Sequence, residues 1–240
     1  MDFLSNVGEQ LPTYWAPLGV TLAVTVGGCL FALVAAFGLG LMASSHLIVL
    51  RGIARVVIEF FRGTSLVVQL YWIAVVVPLV FEFRFQIPLL IGVLALGMNY
   101  GAYSAEVVRG SIGAVAQGQY EACVALNFTY WQRMRLVVIP QAWPEMIPPL
   151  STLAILLLKG SALVSLVSVS DLTFHAQTLG SRPDQNMLFH LGMILVIYFI
   201  LSWLIATGMR FLERRAKAGI GQKPETKSTL DKPALVALGG

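Results

Sequence analysis

Four polar side chains lie inside long apolar stretches of this 240-residue sequence, where they could contact a dissolved substrate. Asn99 and Tyr103 are four positions apart and therefore share one face of a helix. An amide and a phenol on one face could bind a zwitterionic solute. They could equally make the hydrogen bonds that join neighbouring helices. Both interpretations stay open at the level of the sequence.

Lys159 and Ser161 are the other two polar residues. Lys159 is followed by Gly160 and Ser161, a pair that weakens a helix. Ionisable groups in apolar surroundings are rare and mark functional sites by default. A broken helix here would line a water-filled path. Alternatively, Lys159 extends to an interface or pairs with a carboxylate. Glu106 is a candidate partner, although it can also face Arg109 one turn further on.

One long polar interval, residues 111–145, separates apolar runs that are long enough to cross a bilayer. Within it, Glu121 opens a short run of helix formers that ends at Leu126. The run contains small residues that would let the surface of a partner approach the backbone. These small residues are Ala122, Cys123 and Ala125.

Two residues are expected to shape the rest of this interval. Asn127 stands where the short helix should turn, and after glycine it is the residue that best tolerates the left-handed conformation. Pro140 lacks the backbone donor that a continuing helix needs, so we expect it to separate the interval from the next apolar run. The alternative is an ordinary amphipathic connector.

The composition indicates an integral membrane protein. Hydrophobic residues make up 57% of the chain and charged residues 12%, whereas roughly a quarter of the residues in a soluble domain are charged. The net charge is +4, but the basic residues end apolar runs and form no patch for nucleic acid. No metal-ligand spacing or phosphate-binding loop occurs, and the two cysteines are not expected to pair.

The polar residues must be positioned by membrane-crossing helices, each of about 20 apolar residues. The sequence predicts an all-α protein with five spans: 17–42, 65–81, 87–108, 146–168 and 187–211. Most of the 16 Lys and Arg residues follow the first, third and fifth spans. Because basic residues favour the cytoplasmic side, the N-terminus is expected outside and the C-terminus inside.

This layout divides the chain into three parts. Residues 1–16 form an external segment that lacks the basic start of a cleavable signal peptide and is expected to be retained. Residues 17–212 form the membrane domain, and residues 44–63 within it are expected to form a helix on the cytoplasmic surface. Residues 213–240 form a cytoplasmic tail, which we expect to be disordered.

The polar interval resembles the cytoplasmic loop of ABC importer permeases. That loop has a Glu-Ala-Ala opening, a Gly three residues later, and an Ile-x-Leu-Pro close after nine more residues. The residues that match are Glu121, Ala122, Leu126 and Pro140, and those that depart are Cys123 and Asn127. Three further stretches resemble the polar amino acid uptake branch of this family: 59–65, 99–110 and 158–165.

The resemblance implies a type I ABC importer permease, a transport subunit rather than an enzyme, in the inner membrane of a cell. It would pair with an identical or sister permease, and an external solute-binding protein would deliver the substrate. ATP and Mg²⁺ would be bound by a separate ATPase, leaving no cofactor or metal in this chain. The residues implied to meet the ATPase are Glu121, Ala122, Cys123, Leu126, Asn127 and Pro140.

The solute is expected to be a polar amino acid or a related compatible solute. Gly160 replaces the Asp or Asn of many relatives, and residues 162–174 look most like permeases for ectoine and hydroxyectoine. A glutamine- or histidine-type permease is the alternative within the family. Outside it, the alternatives are a stand-alone channel, an ion-coupled carrier and a membrane scaffold without transport.

Overall fold

The described part of the molecule consists of helices joined by short turns and irregular segments. The computed structural model describes residues 10–82, 85–183 and 186–219, and every regular element in these ranges is a helix, which confirms the expected all-α class. In chain order the helices are α1 (Trp15–Ala43, after a 3-10 turn Leu11–Tyr14), α2 (Ile48–Gly63), α3 (Leu66–Tyr71, a π-helical turn Trp72–Val76, then Val77–Val80), α4 (Leu89–Gly113), α5 (Gln117–Ala125), α6 (Tyr130–Arg133, a π-helical turn Met134–Val138, Ile139–Gly160, then a 3-10 segment Ser161–Val167), α7 (Leu172–Gly180) and α8 (Met187–Gly219).

Three helical stretches are long and apolar enough to span a membrane: Leu11–Ala43, Tyr130–Val167 and Met187–Ala218. The pair Ile48–Gly63 and Leu66–Phe81 would add a fourth span. The remaining predicted span corresponds to α4, whose 25 residues are sufficient in length. Polar residues such as Asn99 and Glu106 interrupt the apolar run of α4, so a total of five spans stays a prediction.

The helices α1 and α4 pack along most of their length and form the centre of the fold. Their buried contacts include Val24 and Ala32 from α1 and Ala95 and Leu96 from α4. Close approach requires small residues, because apolar burial gives little drive between helices in lipid. At Gly40, an added Cβ atom would lie 2.8 Å from the Cβ atom of Val108.

The helices α2 and α3 meet at an angle of 101°. One side of α2 buries Ala54 and Ile58 in a cluster that includes Ala43 of α1 and Ala105 of α4. The other side exposes large apolar residues, among them Val56 and Phe60. This amphipathic character is typical of a helix that lies in a membrane interface. The helix expected over residues 44–63 therefore occurs from Ile48 to Gly63, and its place on the cytoplasmic surface stays a prediction.

The expectation that Pro140 separates the polar interval from the next span is wrong. Pro140 lies within the continuous helix α6, directly after the π-helical turn Met134–Val138. In that turn, the N–H of Ile139 bonds to the carbonyl of Met134, five residues back. This wider turn immediately precedes the residue that lacks a donor, so the helix can continue. The helix α3 uses the same arrangement before Pro78.

The expected break after Lys159 is a change of helix type rather than an interruption. At Ser161 the helix α6 tightens into a 3-10 segment, which ends at Ser168 with φ of 60°. At the other end of the chain, α8 continues to Gly219, so residues 213–219 of the expected disordered tail are helical. The ion pair between Lys217 Nζ and Glu213 Oε1, 2.9 Å apart, supports these last turns. The expectations for residues 1–9 and 220–240 lie outside the described residues.

Candidate functional sites

The helix α5 carries one exposed face and one buried face. Its exposed residues include Glu121, Ala122 and Val124, and Leu126 directly after it is 68% exposed. Cys123 points the other way and is only 3% exposed. Cys123 therefore anchors the helix on the protein, and is not part of the face that is free for a partner.

The turn expected at Asn127 is confirmed. Asn127 has φ of 54°, in the left-handed region. Its N–H bonds to the carbonyl of Val124 at 2.9 Å, and the N–H of Phe128 bonds to the carbonyl of Cys123, also at 2.9 Å. This pair of bonds is a Schellman motif. It fixes the end of α5 and leaves Leu126 on the surface.

Aromatic and polar contacts hold α5 against the helices on either side. The Tyr120 hydroxyl donates to the carbonyl of Ile112 in α4 at 3.1 Å. Burial raises the pKa of the Tyr120 hydroxyl, which keeps it protonated and able to donate. The guanidinium carbon of Arg133 in α6 lies 5.7 Å from the ring centres of both Tyr120 and Tyr130. The helix is thus fixed to both α4 and α6.

The start of α6 is set by a capping box that the sequence analysis missed. Thr129 Oγ1 accepts from the N–H of Gln132 at 3.4 Å, and Gln132 Oε1 accepts from the N–H of Thr129 at 2.9 Å. The signal was present in the sequence, since Thr followed three residues later by Gln is a known helix start. Beside it, Pro140 and Leu136 line a cleft of about 760 Å³ between α6 and the segment that leads into α5.

Asn99 and Tyr103 do share one face of α4, but both support the end of α2. Asn99 Nδ2 donates to the carbonyl of Phe61 at 3.0 Å, and the Tyr103 hydroxyl donates to the carbonyl of Arg62 at 3.2 Å. Gln69 Nε2 also donates to the carbonyl of Phe61, at 2.9 Å. The last carbonyls of a helix lack partners within it, so these contacts favour the interhelical hydrogen-bonding interpretation.

The Lys159 side chain is exposed, and it makes no hydrogen bond or ion pair within the described ranges. Glu106 instead pairs with Arg109, whose Nε lies 2.9 Å from Glu106 Oε2. Ser161 is fully buried and donates to the carbonyl of Leu158 at 2.7 Å. The four polar residues singled out from the sequence therefore do not converge on one site within this chain. Tyr103 lines a separate cavity of about 430 Å³ together with Arg62 and Glu106.

Asp171 is a buried carboxylate that the sequence analysis did not select as a site residue. It is fully buried, and its Oδ1 accepts from the N–H of Phe174 at 2.9 Å, which caps α7. The Tyr198 hydroxyl lies 3.4 Å from the other carboxylate oxygen. Burial raises the pKa of Asp171 above its ordinary value, and the hydrogen bonds oppose that rise. The signal in the sequence was an Asp directly before a helical run.

Comparison with known proteins gives a consistent set of similarities. Residues 28–218 match the model of a family described as the binding-protein-dependent transport system inner membrane component. The chain is 41% identical over 209 residues to a probable amino-acid ABC transporter permease of Sinorhizobium fredii, covering 83% of this chain and 87% of the relative. It is 30% identical over 219 residues to the glutamate/aspartate import permease of Escherichia coli O6:H1, covering 88% and 96%.

Solved structures show the same similarity in three dimensions. One chain of an amino acid ABC transporter crystallised with histidines superposes with a TM-score of 0.80 at 33% sequence identity. The match covers 90% of this chain and 99% of that one. A methionine ABC transporter in an inward-facing conformation has a TM-score of 0.69 at 21% identity, which supports the fold alone.

Proposed function

This chain belongs to the family of binding-protein-dependent transport system inner membrane components, and on that premise we propose that it is the permease of an ATP-driven importer for an amino acid or a similar zwitterion. The observation that carries the proposal is the exposed face of α5, which contacts the long helices α4 and α6 through Tyr120. Three similar relatives are named as an amino-acid, a glutamate/aspartate and a glutamine transport permease protein.

The exposed face of α5 is proposed to bind a cytoplasmic ATPase, which would hold ATP and Mg²⁺. Val124 and Leu126 are 60% and 68% exposed, so they offer apolar surface to a partner at the end of α5. Glu121 beside them contacts Gln117 of its own helix, with 3.1 Å between Gln117 Nε2 and Glu121 Oε1. A short helix with apolar and acidic residues fits a groove that has apolar walls and a basic rim.

The proposed mechanism needs no covalent chemistry from this chain. Closure of the ATPase dimer would move α5, and the contacts through Tyr120 and Arg133 would carry that movement into α4 and α6. The solute would be released because the two states of the pathway differ in their affinity for it. We place this permease in the inner membrane, with the N-terminus outside and α5 on the cytoplasmic side, as the charge distribution predicts.

The transport pathway is proposed to lie between this chain and a second permease, identical or related. Lys159 is exposed and unpaired within the described residues, so it is available to a solute or to the second subunit. We propose that Lys159 faces the pathway and that Asn99, Tyr103 and Ser161 support the helices around it. An external binding protein would deliver the solute on the opposite side from α5.

The environment of Gly160 bears on which solute is carried. A Cβ atom added at Gly160 would lie 2.9 Å from the Tyr100 hydroxyl oxygen, so the Tyr100 side chain occupies the space of a larger residue here. Without a carboxylate at this position, the site lacks a group that would suit a cationic amino acid. We propose ectoine or hydroxyectoine as the narrower assignment, which rests on residues 162–174. A glutamine- or histidine-type amino acid is the alternative, and the ligand of the cognate binding protein decides between them.

Charge reversal on α5 tests the proposed function. In Glu121→Lys, uptake and stimulation of the ATPase by the loaded binding protein should fall by at least about tenfold, because juxtaposing like charges at an interface costs several kcal/mol. Glu82→Lys is the matched control for co-purification of the ATPase, since Glu82 is an exposed acid in the connection between α3 and α4, on the side opposite to α5 in the predicted layout. Normal uptake by Glu121→Lys would refute the proposal, as would failure of any ATPase to co-purify with the chain in mild detergent.

A further inference from the structure

A largely apolar cavity of about 570 Å³ lies among the helices α1, α4, α6 and α8. It extends from the middle of α1, at Cys29, to the last turns of α8, at Arg215. Its lining includes Leu33 and Leu212, which are 38% and 53% exposed, so the cavity opens to the surface between α1 and α8. If α1 and α8 cross the membrane as the sequence predicts, this opening faces the surrounding bilayer.

The lining of this cavity is unsuited to the transported solute. Tyr100 is one of its few polar residues, and the Tyr100 hydroxyl already donates to the carbonyl of Leu156 at 3.0 Å. A zwitterion would lose its hydration here and find few partners, which is costly. Water likewise needs several polar partners to occupy a cavity. A lipid acyl chain that enters from the bilayer has no hydration shell or hydrogen bonds to lose.

Arg215 gives this cavity its charge. Among the described residues that line it, Arg215 is the one charged side chain. Its guanidinium carbon lies 4.7 Å from the ring centre of Phe211, and it is exposed and forms no ion pair in the described part of the chain. An arginine held against an aromatic ring keeps its donors available for a bidentate contact with a phosphate.

We propose that this cavity is a binding site for an anionic phospholipid of the surrounding leaflet. One acyl chain would lie between α1 and α8 along the apolar lining, and the phosphate of the headgroup would contact Arg215. Basic pockets between membrane helices on the cytoplasmic side recognise anionic headgroups in this way, and the charge distribution of the sequence places the end of α8 on that side. The first turns of α8 lie near Leu18 of α1, and the lipid would fill the space between the middle of α1 and the last turns of α8.

Cys29 provides a direct readout, because it lines the cavity and is one of only two cysteines in the chain. The full-length Cys123→Ala variant would be purified in detergent, and the rate of Cys29 modification by N-ethylmaleimide would be measured during titration with phosphatidylglycerol or phosphatidylcholine. Phosphatidylglycerol should slow the modification at lower concentration. Arg215→Gln should weaken its apparent affinity about fivefold, the contribution of one arginine near anionic lipid. Arg214→Gln is the matched control, since Arg214 is exposed and is not part of the lining.

A second measurement does not depend on the cysteine variant. Native mass spectrometry of the unmodified chain should show phosphatidylglycerol retained after delipidation, and the retained amount should fall in Arg215→Gln and not in Arg214→Gln. Equal protection of Cys29 by both lipids would overturn the proposal, as would equal lipid retention in all variants. Protection that depends on the protein concentration rather than on lipid would assign the cavity to a second copy of the chain, which also overturns it.

Discussion

The carbonyl of Phe61, near the end of α2, accepts hydrogen bonds from two side chains. This shared acceptor allows a quantitative test of what stabilises the end of α2. The carbonyl of Phe61 accepts from Asn99 Nδ2 at 3.0 Å and from Gln69 Nε2 at 2.9 Å. Both donors are nearly buried, at 5% and 7% exposure. The perturbation is a double-mutant cycle with Asn99→Ala, Gln69→Ala and the double variant.

The expected magnitudes follow from the number of donors that remain. Each single variant leaves Phe61 with one donor, so Asn99→Ala should reduce the free energy of unfolding by about 0.6 kcal/mol, the average for an interhelical hydrogen bond in a membrane. The double variant leaves the carbonyl without either donor, and an unsatisfied buried acceptor costs about 1–3 kcal/mol. The double variant should therefore exceed the sum of the single effects by about 1 kcal/mol. The bond from Gln69 to Thr64 is lost in both Gln69 variants and cancels from the cycle.

The assay is thermal unfolding of the detergent-solubilised chain, in which 1 kcal/mol corresponds to a shift of about 2–4 °C for a protein of this size. Tyr103→Phe combined with Gln69→Ala is the control, because Tyr103 donates to Arg62 instead and the two effects should add. Uptake assays of the same variants should show an unchanged KM. Strict additivity of Asn99→Ala and Gln69→Ala would refute the shared-acceptor reasoning, and so would a raised KM in Asn99→Ala with normal unfolding.

Four further predictions address other parts of the structure. Asn127→Val should destabilise the end of α5 by about 1–2 kcal/mol, because the backbone of residue 127 has a φ of 54°. Asn127→Gly should not destabilise it. Hydrogen exchange of the α5 amides measures the difference. Gly40→Val should destabilise the chain by about 1–3 kcal/mol through overpacking, whereas Gly38→Val, with open space around it, should have little effect on thermal unfolding. Burial raises the pKa of Asp171 in the folded state, so folding favours the protonated carboxyl group. As pH rises from about 4, the ordinary Asp value, the stability of the natural chain should therefore fall relative to that of Asp171→Asn. A pH series of unfolding temperatures for both chains measures this, and a difference that stays constant with pH would contradict it. Lys159→Ala should raise the KM for uptake without lowering the unfolding temperature, because the side chain is exposed and unpaired in the described residues, and an unchanged KM would remove Lys159 from the pathway.

The local features of α5 were predictable because each depends on a few neighbouring residues. The helix formers after Glu121, the left-handed turn at Asn127 and the polar interval between apolar runs are all readable from the chain itself. The capping box at Thr129 and the cap at Asp171 were also present as signals, although they were not selected. The membrane class was also predictable, because it follows from the overall amino-acid composition and not from how the helices are arranged.

The roles of particular side chains required the tertiary structure. Spacing placed Asn99 and Tyr103 on one face of α4, but only the position of α2 showed that this face meets the carbonyls of Phe61 and Arg62. Cys123 lies on the buried face of α5. The small size of its side chain did not indicate which face it occupies. In each case the outcome depends on which neighbour a helix packs against.

The helix α6 also shows the difference between what a local sequence rule predicts and what the folded chain does. Pro140 predicts a helix end by its missing donor, and that local rule is sound. The structure continues the helix through a π-helical turn before Pro140. The sequence by itself determined the helical, membrane-embedded character of this protein and the place of the exposed helix α5, because these depend on local propensity and average hydrophobicity. Only the tertiary structure decided which polar groups are satisfied, which helices continue and where a cavity remains, because those depend on contacts between residues far apart in the chain.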